Sequence, residues 1–127
     1  MIADKKSRQI LCTAFSVGKT HDFKLFKQSH THIDPVIKCE LDSGYLGIEK
    51  IHAKSEIPIK SSKKKPLTKE DKKKNRQLSS SRVAIENIIR EVKIFRIIAE
   101  RYRNRRKRFC LRFNLIAAIY NQNLSRK

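Results

Sequence analysis

The sequence lacks tryptophan and has only three glycines, three prolines, three cysteines and one methionine in 127 residues. So little glycine and proline excludes collagen-like chains and most low-complexity chains. The cysteines are odd in number and far apart in the sequence, at Cys12, Cys39 and Cys110, and no two of them form a C-x-x-C pair. This pattern favours a reducing compartment. No apolar run approaches the roughly 20 residues that span a bilayer. The N-terminus does not have the pattern of a signal peptide. We therefore expect no membrane partner and a cytoplasmic location.

Acidic residues are scarce relative to basic ones. The 12 Asp and Glu residues face 31 Lys and Arg, which gives a formal net charge of +19. This charge says nothing about the fold, but it indicates a polyanionic partner. Hydrophobic residues make up 39% of the chain, which is enough for a lean core in a protein of one-domain length.

The first part of the chain, residues 1–60, alternates short strand and helix patterns. Ile2-Ala3 can pair with a strand over 9–16, with a turn between them. Thr20 is the predicted N-cap of a short helix over 20–27. The remaining predicted elements are a strand over 36–42, a short helix over 45–52 and an edge strand over 56–60.

The second part, residues 61–127, is basic and helical. Thr68 followed by Asp71 predicts a helix start. Ser79-Ser80-Ser81 can bend or break the chain before an apolar stripe that predicts a helix over 82–102. A final apolar helix is predicted over 109–124. The order of elements indicates an α/β fold whose long helices lie at the C-terminus.

Two carboxylates stand out by position. Asp42 ends the predicted strand 36–42, and functional sites form at the carboxyl ends of strands in open α/β sheets. Glu86 lies inside a predicted helix, with Arg82, Arg90 and Lys93 at near-whole-turn offsets on its face. One interpretation is a surface ladder of ion pairs, each contributing about 0.3–0.5 kcal/mol. The other is a catalytic acid flanked by cations.

Five segments carry a specific pattern: Thr20-His21-Asp22-Phe23-Lys24-Leu25-Phe26, Asp42-Ser43-Gly44-Tyr45-Leu46-Gly47, Leu67-Thr68, Asn75-Arg76-Gln77-Leu78, and Arg82-x-x-x-Glu86 with Lys93. In this order, and over nearly the whole chain, they resemble the DDE-type transposases of bacterial insertion sequences, in the group of the Harbinger-type endonucleases. A Tyr often precedes the Arg by three residues in that family, whereas this chain has Ser79.

The resemblance implies a ribonuclease-H-like catalytic domain that cuts DNA and joins transposon ends to target DNA. Asp42 matches the family's second catalytic Asp and Glu86 its catalytic Glu, so both would hold divalent cations, Mg²⁺ or Mn²⁺. Arg82, Arg90 and Lys93 would then contact DNA phosphates. The basic tract containing Lys63, Lys64 and Lys65 is a further candidate for DNA contact.

No residue of the chain matches the family's first Asp, which belongs to a strand expected before Met1. The resemblance therefore implies a partial DDE domain over 1–127, the C-terminal portion of a bacterial transposase that is inactive alone. It would be a decayed copy or the product of a split reading frame whose N-terminal polypeptide is a partner. Glu40 stands where the family has an apolar residue, and we expect it to face solvent.

Alternatives remain at three places. The composition also fits a small, non-enzymatic, basic nucleic-acid-binding protein. His30-x-His32, with Cys39 and His21, could suggest zinc, but an unliganded polar loop is favoured because no second pair has the right spacing. His21-Asp22 could be a pair near the cations, but capping of the short helix explains Thr20 and Asp22 equally well.

Overall fold

The computed structural model describes residues 1–16, 18–62, 66–100 and 108–126. Within them the chain is a mixed α/β protein with two small sheets. Lys63, Lys64 and Lys65 lie outside the described residues. The elements are β1 (Ile2–Ala3), β2 (Ile10–Cys12), α1 (Asp22–Gln28), β3 (Cys39–Glu40), two 3₁₀ helices (Ser43–Tyr45 and Ile48–Lys50), β4 (Ser55–Glu56), α2 (Lys69–Lys93), α3 (Arg96–Ala99) and α4 (Phe109–Leu124).

Strands β1 and β2 pair antiparallel, as the sequence predicts. The turn between them is closed by Asp4, whose carboxylate accepts the Ser7 N–H at 2.7 Å. The Asp4 N–H in turn donates to the Gln9 carbonyl at 2.9 Å. Strand β2 is shorter than the predicted 9–16.

The strand predicted over 36–42 is largely wrong, because only Cys39–Glu40 of β3 forms a ladder, parallel to β4. Asp34 turns the chain just before it, since its carboxylate accepts the Val36 N–H at 2.9 Å. Ile37 is 55% exposed, so the alternation of apolar and polar residues over 36–42 does not correspond to a buried strand face at this position. The predicted edge strand 56–60 is likewise displaced, to Ser55–Glu56.

The short helices also differ from the prediction at their starts. Helix α1 begins at Asp22, and the imidazole Nδ1 of His21, not Thr20, accepts the Phe23 N–H as the N-cap. The single helix predicted over 45–52 is divided into two 3₁₀ helices. Gly47 separates them at a φ of 89°, a left-handed conformation that favours glycine.

The start of α2 confirms the predicted cap. The Thr68 hydroxyl accepts the Asp71 N–H and the Asp71 carboxylate accepts the Thr68 N–H, each at 3.1 Å. The helix then continues through the three serines without a break and ends at Lys93, so the predicted extension to 102 is wrong. Helix α4 has the predicted bounds. Among the described residues, no helix is long and apolar enough to cross a bilayer.

The chain divides into two compact units. We call Met1–Phe15 with Val83–Lys127 the terminal unit, and Ser16–Arg82 the central unit. The terminal unit has an apolar core, whose buried members are Ile10, Ile88, Val92, Ile116, Ala117 and Tyr120. Asn121 attaches β2 to α4 there, because its side-chain amide exchanges two hydrogen bonds with the backbone of Ile10.

The central unit buries fewer apolar side chains among its described residues, chiefly Ile48 and Leu78. Its buried polar residue is His52, which is 6% exposed. The His52 Nε2 donates to the Ile37 carbonyl at 2.7 Å, since a carbonyl can only accept. This bond holds the turn before β3 against the segment that follows the second 3₁₀ helix.

Candidate functional site

Asp42 lies two residues beyond β3, where the chain leaves the parallel ladder. The last backbone bond of that ladder joins the Leu41 N–H to the Glu56 carbonyl at 2.9 Å. Asp42 then caps the first 3₁₀ helix, because its Oδ1 accepts the Ser43 N–H. Its side chain is 54% exposed, so the carboxylate is open to solvent at the end of the strand.

Arg82 of α2 reaches this carboxylate. Its Nη1 lies 3.3 Å from Asp42 Oδ1, in a pair that is both a hydrogen bond and an ion pair. The Arg82 side chain is 28% exposed and therefore partly shielded from water. Two candidate residues that lie forty positions apart in the sequence are thus brought into contact within the central unit.

A second contact connects the same strand and helix. The Ser81 hydroxyl donates to the carboxylate of Glu40, which is half-buried. The expectation that Glu40 faces solvent is therefore wrong, since the helix packs against it and offers a hydroxyl partner. Sequence reasoning missed this pair because serine inside a helical pattern gives no signal for a distant acid.

Tyr45 follows Asp42 in the same 3₁₀ segment and packs edge-on against two rings of α1. Its ring centroid lies 6.3 Å from those of Phe23 and Phe26. Burial raises the pKa of the Tyr45 phenol, and the negative charges of Asp22 and Asp42 raise it further. Both carboxylates therefore lie close enough to disfavour a phenolate at this position.

The His21-Asp22 pair lies beside the Asp42–Tyr45 segment. A side chain at Gly44 would begin 4.0 Å from Asp22 Oδ2 and 4.0 Å from His21 Cε1. His21 caps α1 in place of the predicted Thr20. Asp22 occupies the first helical position, where a carboxylate also interacts favourably with the helix dipole.

Glu86 is exposed on α2, one helical turn after Arg82. It makes no ion pair with any cation among the described residues, because Arg82 turns to Asp42 instead. The ladder that the spacing allows is therefore not formed. Arg90 and Lys93 are exposed on the same helix, and like Glu86 they belong to the terminal unit.

The donor chemistry of Asp42 fits a hard divalent cation. Its carboxylate offers oxygen ligands, it is half exposed, and Glu86 offers the same chemistry on α2. The described part of the chain contains no group of three His, Cys, Asp or Glu that could hold a metal by itself. His30 and His32 line a shallow depression with Phe26 and Ile51.

Comparisons with known proteins identify the family of the chain. The family model described as "Transposase DDE domain" matches residues 1–122. The chain is 46% identical, over all 127 residues, to the "Probable transposase for insertion sequence element IS702" of Microchaete diplosiphon, and it spans 46% of that relative's length. No solved structure matches the chain. The family model covers almost the whole chain and the relative aligns with all of it, so the chain belongs to the DDE transposase family.

Proposed function

We propose that the chain forms part of the catalytic domain of a DNA transposase, with Asp42 and Glu86 as two of its catalytic acids. The contact between Arg82 and Asp42 carries this proposal, since it joins the two family motifs at 3.3 Å. We further propose that the complete domain is ribonuclease-H-like and that 1–127 is one partial domain. Its place of action would be DNA in the bacterial cytoplasm, in association with the nucleoid.

The carboxylates are suited to this chemistry. In-line displacement at a phosphodiester requires stabilisation of both the attacking and the leaving oxygen, which Mg²⁺ or Mn²⁺ supplies when bound. Asp42 and Glu86 would hold these ions, because hard cations prefer carboxylate oxygens over imidazole or thiolate. The single contact of Arg82 with Asp42 Oδ1 leaves the second oxygen of that carboxylate as a ligand.

The basic residues of α2 would position the DNA. Arg82 has a planar guanidinium with several N–H donors, so it can contact a phosphate and a carboxylate together. Arg90 and Lys93 lie two to three turns further along the helix and are exposed. We assign these three residues to the phosphates that flank the cleaved bond, and Lys63, Lys64 and Lys65 to more distant phosphates.

We also propose that residues 1–127 alone do not join DNA strands. The catalytic centre of the family uses three acids, and no residue in 1–127 matches the first of them. Two acids can bind a divalent cation weakly, but they cannot fix two ions in the geometry of the reaction. A polypeptide that supplies the first Asp, such as the N-terminal product of a split reading frame, would complete the centre.

Cation binding tests the assignment of Asp42 and Glu86. The chain is titrated with Mn²⁺ and the bound ion is measured by electron paramagnetic resonance. Asp42→Asn and Glu86→Gln should each weaken binding at least tenfold. Glu91→Gln is the matched control, because Glu91 is an exposed acid on the same helix and should bind Mn²⁺ like the wild type. Equal affinities in all four proteins would contradict the site.

Nicking of DNA tests the proposed inactivity. The purified chain is incubated with transposon-end DNA and Mn²⁺, and the 3′ ends are analysed on a sequencing gel. We expect no specific nick. Specific nicking that Asp42→Asn abolishes would show that the chain carries a working centre.

A non-enzymatic, basic nucleic-acid-binding protein remains the second candidate, because the net charge of +19 favours it. Such a protein has no need of Asp42 or Glu86. Unchanged Mn²⁺ binding in both acid variants, together with tight DNA binding, would favour this candidate.

A further inference from the structure

A row of cations runs along the solvent side of the first half of α2. Its members are Lys69, Lys72, Lys73 and Arg76, which we call the basic stripe, and all four are exposed. Their spacing of i, i+3, i+4 and i+7 places them on one helix face. The stripe extends about 10 Å along the helix axis at 1.5 Å per residue.

The opposite face of the helix is fixed within the central unit. Leu78 is 8% exposed and lies about 200° around the helix from Arg76, at 100° per residue. The Asn75 side-chain amide exchanges two hydrogen bonds, each 2.9 Å long, with the backbone of Ile59. These contacts determine which side of α2 is covered, so the basic stripe is held outward.

The cations of the basic stripe are not neutralised by the described part of the chain. None of the four makes an ion pair with a described carboxylate. Two acids lie among these cations in the sequence: Asp71 uses its carboxylate to cap Thr68, and Glu70 is exposed and makes no ion pair with a described cation. Lys38 of the same unit differs in this respect, since it pairs with Glu56 at 2.9 Å.

We propose that the basic stripe is the surface on which the backbone of duplex DNA docks, without regard to sequence. This inference rests on the proposed function only in taking DNA as the partner. A row of about 10 Å spans roughly three successive phosphates of one strand at an axial rise of 3.4 Å. Arg76 can hold a phosphate with two N–H groups, whereas the lysines act as point charges.

Two exposed serines continue the surface beyond Arg76. Ser79 and Ser80 lie one turn further along α2, and both are exposed. Hydroxyl groups are common donors to phosphate oxygens. Ser79 and Ser80 thus place two small hydrogen-bond donors next to the basic stripe. Their side chains are too short to block the approach of a DNA backbone.

The salt dependence of DNA binding tests the proposal. Affinity of the chain for a fluorescent 20-base-pair duplex is measured by anisotropy between 50 and 250 mM KCl. Each phosphate contact contributes about 0.9 to the slope of log K against log salt. The variant with Lys72→Gln, Lys73→Gln and Arg76→Gln should bind more weakly, with a slope about 3 smaller in magnitude.

The control variant carries Lys24→Gln, Lys50→Gln and Lys74→Gln. All three lysines are exposed in the same unit, and Lys74 lies on α2 outside the basic stripe. Both triple variants lower the net charge by the same amount, from +19 to 19 − 3 = +16. The control should therefore keep the wild-type slope within about 1.

The outcomes separate this proposal from the others. Equal loss of slope in both triple variants would overturn it, because binding would then follow net charge alone. Tighter binding of an RNA hairpin than of the DNA duplex would overturn DNA as the partner. Arg76→Gln alone should lower the slope by about 1 and Arg76→Lys should not, which keeps the test decisive if a triple variant unfolds. Mn²⁺ binding by the triple variant should stay unchanged, so failure of the cation site is seen independently.

Discussion

Each of the two units is stabilised internally by a different kind of interaction. The terminal unit has a continuous apolar core in which Ile88 and Val92 of α2 are 2% and 1% exposed. The described central unit relies more on polar contacts between side chains and distant partners. These include His52 with Ile37, Asn75 with Ile59, and Arg82 with Asp42.

The difference shows how each unit holds its own side chains in place. Apolar burial is non-directional and strong, so it holds the terminal unit without special geometry. Polar contacts at partly exposed positions contribute less, but they fix direction and register. The central unit uses such contacts to orient Asp42, Glu40 and the basic stripe. Apolar packing alone would not fix the direction of these polar groups.

The largest effect is expected in the terminal core. Ile88→Ala removes a side chain that is 2% exposed, and we expect a loss of about 2–5 kcal/mol in the free energy of unfolding. Ile89→Ala is the matched control, because Ile89 is 37% exposed and its truncation should cost below about 1 kcal/mol. Urea unfolding monitored by circular dichroism measures both values. Similar losses for the two variants would show that the apolar core is not what stabilises the terminal unit.

The sequence predicts best the elements that local patterns determine. The bounds of α4 and the Thr68 cap of α2 follow from helical periodicity and from short-range capping chemistry. Both are local signals, and the residues that produce them lie within a few positions of each other. The end of α2 is less predictable, because the apolar pattern continues past Lys93 while Phe95 becomes extended.

The polar contacts of the site are harder to predict, because they join residues far apart in the chain. The sequence singles out Asp42, Arg82 and Glu86, but spacing favours pairs within α2, whereas Arg82 turns to Asp42. The contact between Glu40 and Ser81 has no local signal. The long strand predicted over 36–42 is wrong for a related reason. The alternation of apolar and polar residues contains no information about the turn that Asp34 forms just before it.

Two asparagines allow a direct comparison of the units. Asn121 bonds both backbone groups of Ile10, which is 7% exposed, whereas Asn75 bonds both backbone groups of Ile59, which is 43% exposed. Asn121→Ala should cost about 1–3 kcal/mol, because buried donors and acceptors are left unpaired. Asn75→Ala should cost about 0.5–1 kcal/mol, because water replaces the lost bonds.

Chemical denaturation at one pH measures both asparagine variants. Asn123→Ala serves as the control, since Asn123 is exposed on α4 and has no contact with β2 among the bonds described. It should change stability by no more than about 0.5 kcal/mol. A loss for Asn75→Ala that equals or exceeds the loss for Asn121→Ala would contradict the distinction between the two units.

The smallest effect is expected at high pH, from Tyr45 in the central unit. Its pKa is raised above the ordinary value of 10.0 by burial and by the charges of Asp22 and Asp42. The folded protein therefore keeps a proton that the unfolded chain loses, so this contribution to stability is complete below pH 10 and is lost as pH rises through the raised pKa.

Tyr45→Phe should reduce that loss of stability at high pH, and Asp42→Asn should lower the pKa of Tyr45 towards its ordinary value. NMR titration of the Tyr45 ring carbon attached to the hydroxyl measures the shift, with Glu49→Asn as a control for the general loss of negative charge. An unchanged Tyr45 titration in Asp42→Asn would mean that the carboxylate which holds Arg82 does not act on the phenol, and that burial and the charge of Asp22 raise its pKa without it.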